Sequence, residues 1–181
     1  GDSIILECEE KYALIDCGTE MHSDELLNFL KSNDIKNIDY YFISDIREGY
    51  SVTFENVLNS LEIGSIILPS NENDNLMHRE IDNLAFVNGK NAVVSNQGSG
   101  YGLNRMSVSI IDAQPLSLYL KFGENSFVIW NSDDEEKLNE VVKSKPWIDT
   151  DVLYLKDSAK VKDAVLETLT PQICIIDCAE N

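Results

Sequence analysis

IDYYFISDIREGY, Ile38 to Tyr50, decides how the rest of the chain is read. Tyr40 to Ile43 is an unbroken apolar run of aromatic and β-branched residues, the pattern of a buried strand. Ser44 to Tyr50 is a polar turn that holds Asp45, Arg47 and Glu48. A helix-like segment follows from Ser51 to Leu61, with Val52, Phe54, Val57, Leu58 and Leu61 as its apolar stripe. Strand, polar turn and helix follow in that order, and the turn holds neither histidine nor cysteine. Asp45 could offer carboxylate oxygens to a metal. Arg47 carries a fixed positive charge and no acceptor, so it would repel a dication.

Other blocks surround this frame. At the amino end, GDSIILE and KYALIDCG read as a β-hairpin whose second strand closes in Asp16-Cys17-Gly18. LSLYLKFGENSFVIWNSDDEE reads as two paired strands ending at Trp130, Asn131 and Ser132. DVLYLKDSAK and LTPQICIIDCAEN each begin or end in a short apolar strand.

In this order, the blocks resemble the metallo-β-lactamase superfamily, and in particular the C-terminal hydrolase-like domain of bacterial competence DNA-uptake channel proteins. In that superfamily the decisive strand ends in Thr-His-x-His-x-Asp-His, whose side chains hold one or two zinc ions. Here Ser44 takes the threonine place, Asp45 and Arg47 the first two histidine places, Gly49 the aspartate place and Tyr50 the last histidine place. Ser132 replaces the bridging carboxylate of Thr-Gly-Asp-Ala, with Asp133 one place late. Asp157 and Ser158 replace the two histidines of His-His-Gly-Ser. The resemblance implies an α/β, four-layer αββα sandwich, whole or truncated, spanning 1–181 as a single domain. It also implies a vestigial pocket of Asp45, Arg47, Glu48, Tyr50, Ser132, Asp133, Asp157 and Ser158, with no catalytic residue, no metal and no cofactor.

Composition narrows the function further. The 181 residues carry 32 acidic and 14 basic side chains, a net charge of −18. Nucleic-acid affinity rests on Lys and Arg, so nucleic-acid binding is not expected, nor is adhesion of this segment to an anionic membrane. No apolar run approaches the roughly 18 residues of a membrane span, and no signal peptide is visible. Gly1-Asp2 opens directly into a strand-like segment, as a trimmed start would. The compartment therefore reads as cytoplasmic, or cell envelope if an upstream anchor was removed.

Cys8, Cys17, Cys174 and Cys178 all fall in apolar strand patterns and are expected as reduced, buried thiols. Cys174 and Cys178 share a strand face about 13 Å apart, too far for a disulfide. His22 and His78, the only histidines, fall on helical segments and read as surface or helix-edge residues.

Helices are expected over His22–Lys31, with Leu26, Leu27, Phe29 and Leu30 near one face, and over Leu76–Phe86, Asp133–Lys143 and Val161–Leu169. Strands are expected over Gly64–Leu68, Ala92–Ser95, Met106–Ile111, Leu116–Phe122, Ser126–Trp130, Asp151–Leu155 and Gln172–Asp177. QGSGYG, Gln97 to Gly102, reads as a flexible loop between two strand-rich halves.

These readings favour a non-catalytic binding or interaction domain whose partner is an unknown protein or a small anionic ligand. In an anion site, Arg47, Tyr50, Ser132 and Ser158 would donate. A rival is a divergent hydrolase with a hard cation held by Asp45, Asp133 and Asp157. Another is a structural domain of a larger bacterial envelope protein.

Overall fold

The computed structural model describes residues 3–18, 23–46, 49–70, 76–156 and 162–177. They form two compact units, Gly1–Ser95 and Asn96–Asn181, each built on its own sheet.

The first unit runs β1 (Ile4–Cys8), β2 (Lys11–Ile15), α1 (Ser23–Ser32), β3 (Asn37–Phe42), α2 (Tyr50–Ser60), β4 (Glu62–Leu68), α3 (Leu76–Val87) and β5 (Ala92–Val94). Its sheet has the order β1-β2-β3-β4-β5. β1 and β2 are an antiparallel hairpin, while β2 to β5 are parallel and joined by helical crossovers. Apolar strands and amphipathic helices alternate in sequence, and parallel pairing needs such long connections.

The register explains the apolar runs. Leu14, Tyr41 and Ile66 are paired neighbours across β2, β3 and β4. They share a core with Leu26 and Leu30 of α1, Phe54 and Val57 of α2, and Ile81 and Ala85 of α3. Ile15, Phe42 and Ile67 form the next row, one residue on, and so point to the opposite face. They too are at most 2% exposed. A strand buried on both faces must be apolar throughout, as Tyr40–Ile43 is in sequence.

The second unit runs β6 (Gly100–Leu103), β7 (Met106–Ala113), β8 (Leu116–Phe122), β9 (Asn125–Trp130), α4 (Glu135–Ser144), β10 (Val152–Leu155), α5 (Asp163–Leu169) and β11 (Ile173–Ile176). The sheet order is β11-β10-β9-β8-β7-β6. β6 to β9 are antiparallel, and β9, β10 and β11 are parallel. Val128, Trp130, Leu153 and Leu155 pack with Leu138, Val141 and Val142 of α4 and Val165 and Leu169 of α5.

Four expectations are corrected here. Gly100 to Gly102 do not belong to a flexible loop: they form most of β6, whose partners on β7 are Ser109, Val108 and Ser107. Backbone pairing overrides the poor strand propensity of Gly-Tyr-Gly. Phe29 is 53% exposed and lies outside the buried stripe of α1, which holds Leu26 and Leu30. Val52 is 45% exposed, so the buried stripe of α2 is Thr53, Phe54, Val57 and Leu58. Cys174 is exposed, whereas Cys8 and Cys17 are buried. It lies on β11, the edge strand of the sheet, where all four residues are exposed. Cys178 lies outside the described residues. Among the described residues no helix is long and apolar enough to cross a membrane.

Candidate functional site

In the first unit, the polar groups gather where β2 and β3 end and α2 begins. Asp16 follows β2 in the left-handed conformation, φ 55°. This bend turns its carboxylate toward Ser44, just beyond β3. The Ser44 backbone N–H donates to Asp16 Oδ1 at 2.8 Å. The Ser44 hydroxyl donates to Asp16 Oδ2 at 2.5 Å. Both residues are buried, so the carboxylate satisfies two donors that would otherwise lack water. The closing aspartate of the hairpin and the first residue of the decisive turn thus form one structural unit.

Gly49 precedes α2 with φ 81° and gives the helix no side-chain cap. This conformation is easy for glycine and strained for other residues. It lets Tyr50 begin the helix with its ring turned inward. The Tyr50 hydroxyl lies 3.0 Å from the Tyr41 hydroxyl. Phe54 stacks against both rings, at centroid separations of 6.4 Å to Tyr50 and 5.8 Å to Tyr41. Burial pushes the Tyr41 phenol well above its ordinary pKa, helped by Cys17 and the Asp16 charge. Burial does the same for Tyr50, with Tyr41, Cys17 and Asp16 adding to it. Both phenols are therefore neutral hydrogen-bonding groups at ordinary pH. On α2, the Thr53 hydroxyl is buried without a hydrogen-bond partner.

Asp45 is half-buried beyond Ser44. Its charge reaches His78 of α3, and this corrects the expectation for that histidine. His78 is only 7% exposed. It shares the buried stripe of α3 with Ile81 and Ala85, three and seven positions on. Burial lowers its pKa, and the charges of Asp82 and Asp45 oppose the shift.

In the second unit, polar groups gather around the β7–β8 turn, the end of β9 and the start of α4. Asn131 and Ser132 follow β9 and are both buried. The Asn131 N–H donates to Ser117 Oγ at 3.1 Å, and its side-chain amide to the Leu116 carbonyl at 2.6 Å. Ser132 Oγ accepts from the Asp134 N–H at 3.2 Å. Asp133 is exposed. Asp134 caps α4 by accepting from the N–H groups of Glu136 and Lys137. Lys137, in the first turn of that helix, pairs with buried Asp112 at 2.8 Å and donates to the Gln114 carbonyl.

Asp45, Tyr50, Ser132 and Asp133 are thus placed within their units. Arg47, Glu48, Asp157 and Ser158 lie outside the described residues, as does His22. Asp16, Tyr41, Cys17, Asp112 and Lys137 were absent from the sequence-derived pocket. Asp16 meets its partner Ser44 across 28 positions, and only the Asp-x-Gly ending of the hairpin marked it. Among the described residues, no group of three or more His, Cys, Asp or Glu side chains could hold a metal ion.

No sequence family matches the chain, and no curated protein matches it in sequence. Solved structures do match it in shape. One is a metallo-β-lactamase from Cronobacter sakazakii with a mutated HARLDQ motif, at TM-score 0.60 and 13% identity over 83% of this chain and 71% of that one. The metallo-β-lactamase fold protein YhfI from Bacillus subtilis gives TM-score 0.64 and 8% identity over 98% of this chain and 78% of its own. CmlA, a diiron β-hydroxylase from Streptomyces venezuelae, gives TM-score 0.62 and 11% identity over 97% of this chain and 42% of its own. At such identities the likeness is one of fold.

Proposed function

From the metallo-β-lactamase fold of this chain, we propose that it is a domain without zinc chemistry, acting by binding rather than by catalysis. The observation behind this reading is how the polar side chains at the described strand ends are used. Asp16 is engaged by Ser44, Tyr50 by Tyr41, Asn131 by Ser117, and Ser132 by Asp134. A catalytic zinc site needs three protein ligands, mostly imidazole, carboxylate or thiolate, and an open position for water or substrate. The residues at the ligand places fit zinc poorly. Tyr50 points into the core, Ser132 is a hydroxyl, and Arg47 has no lone pair to give. The rival reading, a structural domain of a larger bacterial envelope protein, rests on the resemblance of the sequence blocks to the domain at the end of competence channel proteins.

The binding partner in this proposal is a protein or a small anion. The net charge of −18 weighs against nucleic acid. The test combines metal analysis with activity. Protein purified without chelator is expected to hold far less than one zinc per chain, and to hydrolyse neither β-lactams, phosphodiesters nor nucleic acid. Stoichiometric zinc would overturn the proposal. So would hydrolysis that appears on adding Mg²⁺ or Mn²⁺ and disappears in Asp45→Asn, since it would favour a carboxylate-bound metal.

A further inference from the structure

We draw no further inference here: the strongest candidate, the open edge of the six-stranded sheet where β11 leaves Ile173, Cys174, Ile175 and Ile176 exposed, carries nothing, because nothing in the structure shows what covers it.

Discussion

The hydroxyls of Tyr41 and Tyr50 lie 3.0 Å apart, and one of them must donate to the other. Tyr50 stands where the resemblance places a zinc-binding histidine, yet its polar end faces the core of its own unit. Removing either hydroxyl leaves the other without that partner. Tyr41→Phe and Tyr50→Phe are each expected to cost about 1–2 kcal/mol in denaturant unfolding. The double variant should cost less than the sum, because the second change removes the orphaned group. Strict additivity would show that the two hydroxyls do not act as a pair.

The same burial sets an alkaline limit on stability. Both phenols have raised pKa values in the folded chain, mainly through burial. The folded state therefore keeps protons that the unfolded state releases above about pH 10. Their contribution is complete below that pH and declines as pH rises through it. Spectrophotometric titration should show these tyrosines ionising only with unfolding, and the Phe variants should soften the alkaline loss.

His78 gives an acidic counterpart. Burial lowers its pKa against the opposing charges of Asp82 and Asp45. The unfolded state then takes up a proton near pH 6.5 while the folded state does not. Stability from this group is complete above that pH and falls as pH drops through it. Chemical denaturation between pH 5 and 8, scales set by the histidine range, should show a steeper acid-side decline for the wild type than for His78→Gln. Parallel curves would remove His78 as the cause.

Gly64 of β4 has no room for a side chain. A Cβ there would sit 2.7 Å from the backbone oxygen of Asp39 on β3. A backbone atom in a paired strand cannot swing aside as a side chain can. Gly64→Ala is expected to cost about 1–3 kcal/mol, the range of overpacked sites, read as a lower unfolding midpoint. An unchanged midpoint would mean that β3 and β4 separate freely at this point.

The β1–β2 turn offers a gain. Glu9 and Glu10 both adopt left-handed conformations, with φ of 53° and 64°. Two-residue hairpins of this kind favour Asn-Gly. Glu9→Asn with Glu10→Gly is expected to raise stability by about 1 kcal/mol, since strain at such residues is of that order. A drop in thermal midpoint would show that contacts of the glutamates outweigh the strain.

The fold was legible because its signals are local. Tyr40–Ile43 could only be a strand covered on both faces, and Lys11–Ile15 closed a hairpin on Asp16. The site was less legible because its bonds are not local. Asp16 meets Ser44 across 28 positions, a pairing set by the parallel register of β2 and β3 rather than by any motif. His78 could have been placed inside from its own sequence, since Ile81 and Ala85 continue its stripe. Cys174 could not be placed on the surface the same way. Ile-Cys-Ile-Ile reads as interior wherever it occurs, and only the strand order puts it at an edge.

Asp16 answers two separate questions with one letter. The backbone there, at φ 55°, is readily adopted by glycine, asparagine and aspartate. The hydrogen bonds ask for two acceptor oxygens on a short side chain, which asparagine halves and glycine lacks. The two alphabets intersect in aspartate alone. Any variant that keeps both the bend after β2 and the two bonds to Ser44 must therefore keep aspartate here.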